Sequence, residues 1–136
     1  MNYWFLSAMI ALIIYGFWGF FPKLAVMYVR PQSALVYEVA GAMAVGLFFL
    51  ARLGFRPDIH PKGILYGVLT GVFGMVGTLF YFAAAREGKI SVVVSMTALY
   101  PLITILLAAI VLREPITLKQ GFGMVLAVAA ILLFSV

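Results

Sequence analysis

Glu38 stands alone in the apolar run Val36-Tyr37-Glu38-Val39-Ala40, where the Tyr37 hydroxyl is the nearest polar group. A carboxylate surrounded by hydrocarbon is costly, and such acids mark ion pathways and proton relays. Lys23 is the candidate partner. With Pro31 as the midpoint of a hairpin, Lys23 lies eight residues before it and Glu38 seven after it. At about 1.5 Å of rise per residue, both sit roughly 10–12 Å from the turn. Equal depth on antiparallel neighbours allows an ion pair if the helical faces agree, with Glu38 as the proton- or cation-coupling group and Lys23 tuning it. A blander reading has Lys23 snorkelling to a membrane interface and Glu38 resting near the headgroups as the neutral acid.

Further polar groups lie within reach of the same chemistry. Tyr15 and Trp18 are three residues apart and share a helix face, with Lys23 about a turn beyond. Tyr37, Tyr66, Tyr81 and Tyr100 also fall deep in apolar segments, where a hydroxyl or indole N–H needs a partner. Tyr3, Trp4 and Phe5 read instead as an interface belt. Ser91, Ser95 and Thr97 add hydroxyls to one segment, although such groups usually bond back to their own helix carbonyls. The expected substrate or coupling-ion set is Glu38, Lys23, Trp18, Tyr15, Tyr37, Tyr81, Ser95 and Tyr100. Catalysis has little to work with. The acids are Glu38, Asp58, Glu87 and Glu114, His60 is the single histidine, and cysteine is absent. Asp58 and His60 share a connector with no nucleophile or third ligand beside them, so no enzyme, metal site or cofactor is expected.

Five apolar stretches must position these residues: Tyr3–Val29, Ser33–Ala51, Gly63–Ala85, Ile90–Leu112 and Thr117–Val136. Each approaches or exceeds the roughly 20 residues that cross a bilayer. Hydrophobic residues make up 66% of the 136-residue chain and charged residues 10%, far from the roughly 45–50% and 25% of soluble domains. An all-α integral membrane protein is expected, a single domain over 1–136 built as a five-transmembrane-helix bundle. The first stretch lacks the basic leader and small-residue cleavage site of a signal peptide. The net charge of +5 comes from Lys and Arg at helix ends, where they anchor to headgroups, and does not point to nucleic acid.

Connectors are short and carry boundary signals. Pro31 suits a first helical turn, Pro57 and Pro61 punctuate the longest link, and Gly88 is a plausible C′ residue. Thr117 with Gln120 makes a capping box for the last helix. Short links require antiparallel neighbours, and an odd number of spans puts the termini on opposite sides. Arg52, Arg56, Lys62, Arg113 and Lys119 share the N-terminal face, against Arg30, Arg86 and Lys89 on the other. Five against three favours a cytoplasmic N-terminus in the cell membrane, with insertion in both orientations left open. Gly63, Gly67 and Gly71 form a smooth helix-packing stripe, for which close contact within the bundle is preferred over an oligomer seam. Pro22 and Pro101 lie inside spans and should kink them, a device transporters use beside a central cavity.

Several of these segments resemble one EamA domain of the drug/metabolite transporter superfamily. The likeness rests on Tyr15-Gly16-Phe17-Trp18-Gly19 followed by Lys23, on Ala84 through Ser95, and on Tyr100-Pro101. Its most specific part is Leu112-Arg113-Glu114-Pro115-Ile116-Thr117 leading to Gln120-Gly121. The resemblance implies a carrier of small metabolites or drugs, and half of a ten-helix inverted-repeat transporter. Two such domains are usually fused, whereas one domain here implies a homodimer, possibly antiparallel. Small multidrug resistance proteins share that gene organisation but have four helices. Many EamA domains carry a basic residue near the start of helix two, where this chain has Tyr37-Glu38. The rival reading is a non-transporting membrane scaffold or a heteromeric subunit, which would have no need of Glu38 and Lys23 at matched depth.

Overall fold

The computed structural model describes residues 3–135, and among them every regular element is helical. The order is α1 Tyr3–Tyr28, α2 Pro31–Arg52, α3 Pro61–Glu87, α4 Ile90–Thr97, α5 Tyr100–Leu107, a π-turn Ala108–Leu112 and α6 Leu118–Ser135. Val136, the expected end of the last span, lies outside the described residues. Tyr3–Tyr28, Pro31–Arg52, Pro61–Glu87 and Ile90–Leu112 are long and apolar enough to cross a membrane, while the described part of the fifth is shorter. The chain divides into two compact units, one ending at Glu87 and the other beginning at Gly88.

In the first unit α1, α2 and α3 pack pairwise, with α2 antiparallel to the other two. Gly19, Pro22 and Val26 of α1 are buried, as are Ala34 of α2 and Thr78, Tyr81, Phe82 and Ala85 of α3. Spacings of three, four and seven put each set on one face. Small residues at Gly19, Ala34 and Ala85 let the backbones approach closely, and Ala85 is 0% exposed. The seam occupies one half of the unit, where α1 ends, α2 begins and α3 ends. The other half is bare: Trp4, Ile13, Phe48, Tyr66 and Phe73 are all uncovered by the chain's own atoms.

That arrangement corrects the expected role of the glycine stripe. A Cβ built on Gly67 or Gly71 meets nothing within 4 Å, and one on Gly63 meets only the His60 side chain at 3.8 Å. The close-packed seam of α1–α3 is made by other small residues at the opposite end.

Helix ends follow local chemistry. Pro31 opens α2, as expected. A Schellman cap closes it: Phe55 N–H donates to the Leu50 carbonyl and Gly54 N–H to that of Ala51, both at 3.0 Å. Gly54 has φ +61°, the left-handed conformation that glycine adopts without penalty. Gly88 does not take that conformation, because the left-handed glycine among the described residues is Gly54; the end of α3 is capped by another means, described below.

In the second unit α4 packs against α6 and buries Val93. The expected kink at Pro101 is a break. Without an N–H, Pro101 cannot bond the Thr97 carbonyl. The chain tightens instead, with Leu99 N–H on the Met96 carbonyl at 3.3 Å and Leu102 N–H on that of Leu99 at 2.9 Å. Arg113 then leaves the π-turn in the left-handed region, φ 57°. The capping box forms as expected: Thr117 N–H donates to Gln120 Oε1 at 2.8 Å, and Gln120 N–H to Thr117 Oγ1 at 3.3 Å.

The seam and the stripe should therefore respond oppositely to added bulk. Ala85→Leu should cost about 1–3 kcal/mol by overpacking, while Gly71→Ala should leave stability unchanged or raise it by roughly 0.5–1 kcal/mol through helix propensity. Denaturant titration of the monomeric protein in detergent measures both.

Candidate functional site

Trp18 is the hub of the polar groups in the first unit. Its indole Nε1–H donates to Glu38 Oε1 at 2.9 Å, joining α1 to α2. Its ring lies against that of Tyr81 on α3, with centroids 5.4 Å apart and planes tilted by 32°. Tyr81, 6% exposed, turns its hydroxyl back to α1 and donates to the Gly19 carbonyl at 2.7 Å. That carbonyl sits in the turn before Pro22, whose missing N–H orphans the neighbouring Trp18 carbonyl and loosens this stretch of α1 enough to admit an outside donor.

Lys23 has a different task from the one expected. Its Nζ donates to the Ala85 carbonyl at 2.7 Å. Ala85 sits in the last turn of α3, where carbonyls lack intrahelical partners and the helix dipole favours a positive charge. The ammonium thus caps α3. The Lys23–Glu38 ion pair is not formed, and helix rotation explains why. At about 100° per residue, Trp18 and Lys23 point roughly 140° apart around α1. One reaches α2 while the other reaches α3. Counting depth from the hairpin ignores that angle.

Glu38 is left half-satisfied. Its Oε2 is buried and accepts no hydrogen bond from any described residue. A buried oxygen without a donor forfeits roughly 1–3 kcal/mol, more when charged. This arrangement of one engaged and one unengaged oxygen, beside a paired indole and phenol, is the candidate site. A shallow groove of about 370 Å³ on α1, lined by Ile13, Gly16, Phe17 and Phe20, offers no polar side chain and is not part of it.

Of the expected set, Glu38, Trp18 and Tyr81 come together, with Lys23 clamping the same helices. Tyr15 and Tyr37 lie on α1 and α2 with rings 61% and 66% exposed. Ser95 and Tyr100 belong to the second unit. Ser95 Oγ donates to the Ser91 carbonyl at 2.8 Å, the ordinary back-bond of a helical serine. Thr97 likewise bonds to Val93 at 2.9 Å. The carbonyls of Gly19 and Ala85 were not foreseen, since backbone acceptors carry no sequence signature beyond a nearby proline or helix end.

The sequence pattern of the EamA-like transporter family matches residues 2–136. The chain belongs to this family. It is also 28% identical over 126 residues to the uncharacterized protein MJ1333.1 of Methanocaldococcus jannaschii, covering 91% of this chain and 90% of that relative. No solved structure matches it. EamA membership together with four sufficiently long apolar helices supports a multi-pass membrane protein of the drug/metabolite transporter superfamily. In this EamA chain the family-like segment from Tyr15 to Lys23 supplies the indole, the opened carbonyl and the capping ammonium.

The two α1–α3 clamps should be separable by mutation. Tyr81→Phe removes one hydroxyl and should cost about 0.5–1.5 kcal/mol, whereas Lys23→Met removes a charge-assisted bond and should cost about 1.5–3 kcal/mol. The double variant should fall short of additivity, because both bonds hold the same pair of helices. A double-mutant cycle read by denaturant unfolding in detergent tests this.

Proposed function

We propose that this EamA chain is a secondary-active transporter of small metabolites or drugs, with the whole 1–136 segment acting as one half-transporter. Two antiparallel copies enclose the pathway as a ten-helix assembly in the cell membrane, and the N-terminus is cytoplasmic in the orientation that the Lys and Arg distribution favours. The observation that carries the reading is Glu38. An acid kept inside an apolar helix, anchored through one oxygen and unengaged at the other, is what solute or ion coupling requires and what a scaffold does not. Family membership supports the same conclusion.

Assembly is supported by the bare half of the first unit. The uncovered ends of α1, α2 and α3 present a contiguous apolar surface with open glycine positions at Gly67 and Gly71. A second copy can approach closely there, and van der Waals packing drives helix association in lipid. Lys23 serves this assembly as a clamp between α1 and α3.

Glu38→Gln tests the coupling role cleanly. The amide oxygen can keep the Trp18 bond, so the fold should persist while the charge disappears. Coupled flux in proteoliposomes should fall to background, and wild-type flux by the variant would refute the assignment. For the assembly, native mass measurement in nanodiscs should give twice the chain mass, and labelling of tags at each terminus should find both on both sides. A monomer that still transports would exclude it.

A further inference from the structure

The unengaged oxygen of Glu38 narrows the chemistry of what binds, on the footing of the transporter reading above. We propose that Glu38 Oε2 and the open face of Trp18 form a recognition site for small organic cations bearing N–H donors, such as amines and guanidines.

Three observations converge on that class. First, the carboxylate is not neutralised by the chain's own nearby base, because Lys23 is committed to the Ala85 carbonyl. Arg86 is turned to Glu87, at 3.9 Å. A carboxylate with no basic side chain against it attracts a cation and repels an anion. Second, Oε2 is covered and lacks a donor while Oε1 is held by the indole. An ammonium or guanidinium N–H supplies charge and hydrogen bond at once. Third, Trp18 stays 41% exposed with Tyr81 stacked behind it. Indole is the best ring face for a cation. A hard metal ion would want several oxygen ligands, which rings do not provide.

Access requires only a local change. Glu38 is itself partly exposed, and its terminal torsion is broad and two-fold. A change of the Glu38 side-chain rotamer, rather than a flip of the carboxylate about its own axis, brings the unengaged oxygen to a ligand lying against Trp18. Quaternary ammonium ions satisfy the ring but cannot donate to the oxygen, so they should bind worse than amines of similar size.

The chain contains two tryptophans, so Trp4→Phe leaves Trp18 as the fluorescent reporter. The Trp4→Phe protein in nanodiscs is titrated with butylammonium, butylguanidinium, tetramethylammonium, butan-1-ol and butyrate. Butylammonium and butylguanidinium should change Trp18 emission saturably, at least tenfold more tightly than the other three. Glu38→Gln in the same background should weaken them at least tenfold. Equal responses to the alcohol or the quaternary ion, no saturable response, or undiminished binding by Glu38→Gln would each overturn the proposal. The ligand series alone decides the matter if the variant does not fold. Saturable cation binding without counterflow in proteoliposomes would uphold this site and defeat the transporter reading. Saturable flux of neutral solutes, untouched by Glu38→Gln and without cation binding, would do the reverse.

Discussion

The bond from the Trp18 indole to Glu38 is the interaction around which the first unit is organised. In a helix surrounded by hydrocarbon, a polar side chain has no water to fall back on and must find its partner in the protein. Trp18 satisfies half of that need for Glu38 at 2.9 Å and leaves the rest open. The same side chain meets Tyr81, and Tyr81 in turn ties α3 to the α1 carbonyl at Gly19. Three helices thus share one polar cluster at one end.

Structure and function are distributed accordingly. The buried seam through Gly19, Ala34 and Ala85 rigidifies the end that carries the cluster, and Lys23 reinforces it by capping α3. The opposite end is uncovered, with room at the glycine stripe. A unit that is tight where its acid sits and open elsewhere suits an assembly whose parts must move against one another. The break before Pro101 and the π-turn after Leu107 place irregular backbone in the second unit as well. Such interruptions in spanning helices recur where transporters bind or gate.

Lys23 shows how one side chain can be read correctly in kind and wrongly in partner. Its depth marked it as too costly to be idle, and it is indeed engaged. Depth, however, is a one-dimensional measure. Whether Trp18 or Lys23 faces Glu38 depends on rotation about α1 and on which neighbour occupies each side. The glycine stripe carries the same lesson, since spacing reveals a smooth face but not whether anything lies against it.

Composition, apolar run lengths and turn residues determined by themselves that this chain is helical, where α1, α2, α3 and α6 begin and end to within a few residues, and which residues are costly enough to matter. Those properties are local, fixed by hydropathy, by proline's missing N–H and by the Thr117–Gln120 cap. Family-like segments from Tyr15 to Lys23 and from Leu112 to Gly121 were also legible without coordinates. Only the tertiary structure decided that Glu38 pairs with an indole and that Lys23 caps a helix. Those outcomes depend on the relative rotation and approach of helices distant in sequence, which no local pattern specifies.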